Sequence, residues 1–178
     1  MTEEQIQARK TLSRFALGLG VLGGVLVLFG IYFLFAANQS LSWPSVEGRV
    51  AWTEVKTEET RGTSKTRLST IVEYYVSVQY KYEVEGETYF ASRYSLGEGD
   101  RASDLYSERS IAEEEATRLF PIESSLTVYY DPDNPSSAIL APGWNWGTFA
   151  PLLIGIFLGG AGGLFYYILK KANVSSES

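Results

Sequence analysis

Two stretches of this 178-residue chain carry no formal charge: Phe15–Ala37, of 23 residues, and Phe149–Leu169, of 21. All 21 acidic and 15 basic residues lie outside them, which the overall charged fraction of 20% conceals. As helices rising about 1.5 Å per residue they measure roughly 34 and 31 Å, against a bilayer hydrocarbon core of about 30 Å. Each is long enough to span. A cleaved signal peptide has an apolar stretch of only about 7–15 residues and a small-x-small cleavage site. The first window is longer, and Phe35-Ala36-Ala37 is a poor site, so it reads as an uncleaved signal anchor. A disordered chain, a collagen-like chain and a simple water-soluble globule are all excluded.

Basic residues near the ends of spans set orientation. Arg9, Lys10 and Arg14 precede the first window, Lys170 and Lys171 follow the second, and none lies between Arg118 and Lys170. The expected layout is a cytoplasmic tail (1–14), a first span (15–37), an extracytoplasmic domain (38–147), a second span (148–169) and a cytoplasmic tail (170–178). Such a chain resides in the plasma membrane with the lipid bilayer as its first partner. The central segment holds 18 acidic and 10 basic residues, a net charge of −8, so the acidic part faces outward. Trp43, Trp144 and Trp146 flank the outer ends and Tyr166 and Tyr167 the inner end, where amphipathic rings settle at headgroup level.

Small residues recur at four-residue spacing: Ala16, Gly20 and Gly24 on the first span, Gly155, Gly159 and Gly163 on the second. Such stripes let backbones approach closely. Counted from the cytoplasmic ends, Gly24 lies near the depth of Gly159 and Gly20 near that of Gly163, which predicts an antiparallel pair within one chain. A homo-oligomer seam and ordinary glycine enrichment are the rival readings.

In the central segment, every even position from Val72 to Val84 is apolar, the period of a strand with one buried face. Glu85-Gly86 then reads as a two-residue turn leading to a strand over Thr88–Tyr94. Further strands are expected at Gly48–Val55, Leu126–Tyr130 and Ala138–Leu140. Ser110 and Glu113 have capping-box spacing, opening a helix of about ten residues that Phe120-Pro121 closes. The expected fold class is therefore a membrane α-helical anchor of two spanning helices plus a small, β-rich α+β domain with about five strands and one helix. Thr53–Arg67 and Ser95–Asp104 read as mobile loops.

The chain has no histidine and no cysteine. Catalytic triads, zinc-thiolate sites, disulfides and cysteine lipidation are thereby removed. A serine–lysine dyad would need a desolvated lysine, and Lys56, Lys65 and Lys81 sit in polar contexts. Asp131-Pro-Asp-Asn-Pro135 alternates oxygen ligands as calcium loops do, but two prolines and the missing glycine favour a rigid turn whose Asp side chains accept from local amides. Gly97 and Gly99 lack the third glycine of a phosphate cradle. Tyrosines 74, 80, 82 and 89 suit a stacking platform, yet alternation places them in the core and the acidic charge repels nucleic acid. Neither span carries an ionisable group other than tyrosine, which disfavours transport. No catalytic residue, cofactor or metal site is expected.

Three stretches taken together carry a resemblance: Trp43-Pro44-Ser-Val-Glu-Gly48-Arg-Val50, then Tyr80-Lys-Tyr-Glu-Val-Glu-Gly86 with Tyr89, then Val128-Tyr-Tyr-Asp131-Pro132-Asp-Asn134-Pro135 followed by Ala138–Leu140. Set between two spans, the region from Leu41 to Pro142 resembles a widespread, mainly bacterial family of small membrane proteins known only as a domain of unknown function. The resemblance implies the two-helix layout and a β-rich outer domain, and it supplies no catalytic residues. Members usually carry Asp or Asn where this chain has Glu85, and a glycine near Ile122-Glu123. The expected function is a non-catalytic binding or accessory module that meets a protein partner through sheet edges and loops. A channel or gating subunit and a membrane-anchored hydrolase are the alternatives.

Overall fold

The structure, a computed structural model, describes residues 3–64 and 67–174. It divides into a helix pair, built from the chain up to Ala36 and from Trp146 onward, and a sheet domain, Ala37–Asn145. The elements run α1 (Glu3–Ser40), β1 (Ser45–Ser64), β2 (Arg67–Val84), β3 (Glu87–Ala91), α2 (Arg109–Leu119), β4 (Ser125–Asp131), β5 (Asn134–Ile139) and α3 (Trp146–Val174). Two long apolar helices thus bracket five antiparallel strands and one short helix, the composition expected from the sequence.

Both long helices reach beyond their uncharged windows. Helix α1 takes in Arg9, Lys10 and Arg14, and α3 takes in Lys170 and Lys171. Each is long and apolar enough to cross a membrane, with mean hydropathies of 2.4 and 2.0 over their most apolar windows.

The sheet has strand order β3-β2-β1-β4-β5. Its core is the period-two face of β2, where Val76, Val78, Tyr80, Tyr82 and Val84 are buried, joined by Val50 of β1, Val128 of β4 and Ala138 of β5. The ring centroids of Tyr82 and Tyr89 lie 5.7 Å apart, and Tyr80 and Tyr82 donate their hydroxyls to the carbonyls of Arg93 and Pro135. Tyrosine is buried here with its polar end satisfied. Beyond the strands, Leu140 and Ala141 both donate to the Tyr94 carbonyl, tying one end of β5 to the end of β3. Ser40 Oγ accepts from the Gly143 amide at 2.9 Å, so the entry and exit of the domain are one hydrogen bond apart.

One irregularity reorganises β1. Val50 pairs with Tyr80, but Trp52 pairs with Gln79 and Thr53 with Val78, a bulge at Ala51. An extra residue reverses side-chain parity, because neighbours along a strand face opposite sides. Val50 is therefore in the core, whereas Trp52, two residues on, stands on the opposite face and is 58% exposed.

The structure corrects several local expectations. Thr53–Arg67 is not a loop: β1 continues to Ser64 and pairs with β2 from Arg67 onward, and residues 65 and 66 lie outside the described residues. The pairs Val55↔Val76, Thr57↔Tyr74 and Thr60↔Ile71 use β-branched and aromatic residues suited to a pleated surface. Ser95–Asp104 is held by bridges Ser77↔Arg101 and Ser95↔Gly99 and by the Ala102 amide donating to the Val76 carbonyl. The capping box is absent: Glu108 is the N-cap residue of α2, with no side-chain cap, and Ser110 lies inside the helix. The C-terminal stop at Phe120 is where Pro121 predicts it. β5 opens four residues earlier than expected, at Asn134, directly after the turn.

Candidate functional site

In the helix pair, α1 and α3 meet backbone to backbone. A Cβ added to Gly23 would stand 2.2 Å from the Gly159 nitrogen, one on Gly30 2.5 Å from that of Leu152, one on Gly155 2.6 Å from that of Val27, and one on Gly162 2.6 Å from that of Gly20. Ala16 is buried, and its carbonyl would lie 2.9 Å from the Gly162 Cβ. Ala16, Gly155 and Gly159 thus lie along the seam and Gly20 lends it backbone, whereas the Cβ positions of Gly20, Gly24 and Gly163 face open space. The reason is rotational. Eight residues carry a helix about 80° past its starting direction, and seven carry it to within about 20°. A contact persisting along two helices therefore recurs every seven residues, as Ala16, Gly23 and Gly30 do, and Gly155 and Gly162 do.

The ring residues expected at headgroup level divide between the two units. Trp146, Tyr166 and Tyr167 are exposed on α3; in the sheet domain Trp144 is exposed and Trp43 half-buried.

The motif residues of the sheet domain build its frame. The Pro44 carbonyl accepts from the Tyr130 amide at 3.1 Å, joining β1 to β4. At Gly48 a Cβ would lie 2.6 Å from Val128 Cγ2 and 2.9 Å from the Lys81 carbonyl, leaving room only for hydrogen. Asp131 Oδ1 accepts from the Asp133 amide at 3.0 Å, and Asn134 Oδ1 accepts from Ser136 at 2.7 Å. The turn through Pro132 to Pro135 is thus stitched by its own side chains, as its composition predicts. Gly86 has φ +85° in the β2–β3 turn, and Glu85 before it has φ +53°, the two left-handed residues of a type I′ hairpin.

Ionisable chemistry gathers on the sheet face opposite the core. Lys56 Nζ lies 2.6 Å from Asp100 Oδ2 and 2.9 Å from Glu54 Oε1. Ser77 Oγ donates to the same Asp100 oxygen at 3.1 Å, and the Tyr75 hydroxyl donates to Oδ1 at 3.4 Å. Strand alternation aligns Glu54, Lys56, Tyr75 and Ser77, and the 95–104 connection delivers Asp100. Hydrogen bonds that the Lys56 ammonium donates to Asp100 and then Glu54 raise its pKa. Burial pushes the Asp100 carboxyl upward, but the bonds from Lys56 and Ser77 outweigh it and hold the acid below its ordinary value. Burial, reinforced by the Asp100 charge, raises the Tyr75 hydroxyl. A charged, doubly bonded ammonium is the opposite of the desolvated lysine that activates a nucleophile. Lys81 is likewise paired, 2.7 Å from Glu123 Oε1, and Lys65 lies outside the described residues.

Beside this cluster is a hollow of about 200 Å³ lined by Trp52, Glu54, Lys56, Ser77, Gln79 and Ser92. Parity with Val50 would place Trp52 in the core; only the bulge separates them. A second hollow, of about 530 Å³, runs between the 94–106 connection and α2, with Tyr94, Tyr106, Arg101 and Arg118 among its lining. Its arginines are engaged, Arg101 with Glu58 at 3.5 Å and Arg118 with Glu115 at 2.5 Å. Among the described residues no three His, Cys, Asp or Glu side chains gather as a metal site.

No curated protein matches the chain. Residues 46–145, more than half of the sequence and nearly the whole sheet domain, match the family described as a domain of unknown function (DUF3592), and the chain belongs to that family.

Proposed function

We propose that the chain is a two-pass integral membrane protein, with both termini cytoplasmic and the sheet domain on the far side of the plasma membrane as a non-catalytic binding or accessory module. The observation carrying this reading is the surface of the helix pair. Only 11% of the most apolar window of each helix is buried, and Phe15, Leu28 and Phe157 are 65, 70 and 74% exposed. A core helix of a water-soluble protein would be covered, and a leader peptide would not account for α3. Lipid is the solvent that such a surface fits. Orientation follows from Arg9, Lys10, Arg14, Lys170 and Lys171 at one end and the −8 charge of the intervening segment. The binding role is supported by the committed state of the ionisable cluster, which keeps Lys56 protonated, and by open hollows on an ordered sheet.

The channel alternative drew on glycine stripes free to join separate chains. Of those stripes, Ala16, Gly155 and Gly159 are occupied by the contact between α1 and α3 of one chain, while Gly20, Gly24 and Gly163 have open space at their Cβ positions.

The absence of cysteine provides the test. Ser69→Cys and Ser175→Cys, made separately, are treated in intact cells with a thiol reagent that cannot cross the membrane. Labelling of the first, and of the second only after permeabilisation, is expected. The reverse pattern overturns the orientation, and recovery of the chain in the soluble fraction after high-speed sedimentation overturns the membrane reading.

A further inference from the structure

We propose that the hollow beside Trp52 binds an uncharged sugar ring, with the indole as the stacking wall and Gln79, Ser92 and Lys56 as hydrogen-bonding groups. The inference rests on the binding-module reading and gives that module a ligand class.

Three observations converge. First, the bulge at Ala51 turns Trp52 out of the core and sets it directly across from Gln79. A bulge that re-aims one large side chain is a device often found beside sites. Second, the polar groups around the indole are unspent. Among the described residues, the Trp52 indole N–H, the Gln79 carboxamide and the Ser92 hydroxyl make no intramolecular hydrogen bond. Lys56 uses two of its three ammonium hydrogens, on Asp100 and Glu54, leaving one. Ser77 spends its donor on Asp100 and keeps acceptor capacity at the floor of the hollow, where it is 3% exposed. Third, Phe90, two residues before Ser92 and paired with Lys81, is 61% exposed on the same side of the sheet.

The chemistry of the lining selects among ligands. An apolar molecule would bury Gln79, Ser92 and Lys56 without partners, which is costly. A polyanion meets a domain of net charge −8, and Glu54, the carboxylate that lines the hollow, is already paired with Lys56 and offers a cation no free counter-charge. A pyranose matches both surfaces. Its axial C–H groups form an apolar, weakly positive face for the electron-rich indole plane, and its hydroxyls donate and accept around the rim.

The test uses the full chain in a zwitterionic detergent, because glycoside detergents carry the proposed ligand as a headgroup. Cellotetraose, chitotetraose and maltotetraose are each titrated by saturation-transfer NMR and tryptophan fluorescence. At least one is expected to saturate with a Kd of about 1 mM or tighter. Trp52→Ala should weaken it about tenfold or more, Gln79→Ala by roughly threefold, and Trp52→Phe should retain most of it. Trp52 and Gln79 are exposed, so folding is preserved, and amide exchange of β2 checks this. Absence of saturable binding to all three up to about 20 mM overturns the proposal, as does binding indifferent to Trp52→Ala. A photo-cross-linker at position 52 that captures a protein while the sugars stay inert overturns the sugar assignment and leaves the binding module standing. Inertness in both arms overturns the two together.

Discussion

The helix pair and the sheet domain bury opposite chemistry. Along α1 and α3 the covered residues include Ala16, Gly23, Gly30, Thr148, Gly155 and Gly162, while leucine, phenylalanine and isoleucine face outward. In the sheet domain the covered residues are Val50, Val76, Val78, Tyr80 and Val128, and glutamate, lysine and serine dominate the surface. Burying valine and tyrosine is productive only where the alternative is water, at about 1.5–3 kcal/mol per large apolar side chain. Where the alternative is itself apolar, nothing is gained by covering leucine, and association depends on close van der Waals contact, which small residues allow. The contrast is what the proposed membrane reading, with two solvents for the two regions, would require. Glycine changes its meaning between them: in the helix pair it makes room, and in the β2–β3 hairpin it supplies a positive φ.

The largest effect that separates the regions lies at adjacent helix positions. Gly23→Leu drives a side chain into the backbone of α3, which cannot rotate aside, and should destabilise the helix pair by about 3 kcal/mol, the upper end of overpacking. Gly24→Leu faces open space and should change stability by less than about 0.5 kcal/mol. Thermal unfolding in detergent, followed by helical circular dichroism, compares the two. Equal midpoints would mean that the seam does not follow the seven-residue repeat.

A smaller effect concerns the connection that crosses β2. The Asp100 pKa is lowered from its ordinary 3.8, so its contribution is fully present above that value and is lost as pH falls through the lower folded value. The side chain is 31% exposed, which limits the contribution to under about 1 kcal/mol. Amide-exchange protection at Ala102, which bonds to Val76, should fall as the pH is lowered from well above 3.8 through the lower folded value of Asp100. Asp100→Asn should show reduced protection already at neutral pH and little further change on acidification. An unchanged pH response in the variant would place the stability of this connection elsewhere.

What the sequence made legible follows from how many partners each signal needs. The apolar windows and the even-numbered face of β2 are properties of one segment, and both are visible without knowing what they touch. The seam required a second helix: glycines four apart are conspicuous in a list, but only wrapping around a partner favours Gly23 over Gly24 and Gly162 over Gly163. The extension of β1 was hidden because Thr57–Thr60 faces solvent on a two-stranded ribbon, and alternation vanishes where neither face forms a core. Ser110 and Glu113 have the spacing of a cap, but α2 begins two residues too early for Ser110 to serve. Trp52 was hidden most completely. Its parity with Val50 assigns it to the core, and a bulge involves a register with β2 that no single segment records.

The smallest predicted effects fall on Glu85 and Glu123, the two positions at which the chain differs from the residues that the family resemblance suggests. Both have left-handed backbone, with φ of +53° and +63°, and they are the only non-glycine residues of positive φ among those described. A Cβ in that region crowds the following carbonyl, a strain that glycine lacks. Glu85→Gly should therefore stabilise the sheet domain by about 0.5 kcal/mol, since the exposed side chain in the β2–β3 turn gives up no contact. Glu123→Gly relieves the same strain but removes the partner of Lys81, so its gain should be smaller and should grow as added salt screens that pair in the parent chain. Chemical unfolding monitored at the tyrosines of β2, at low and high ionic strength, tests both. A loss of stability in Glu85→Gly would show that the turn is held by its side chain, and the distinction between glycine as space in the helices and glycine as backbone geometry in the hairpin would fail.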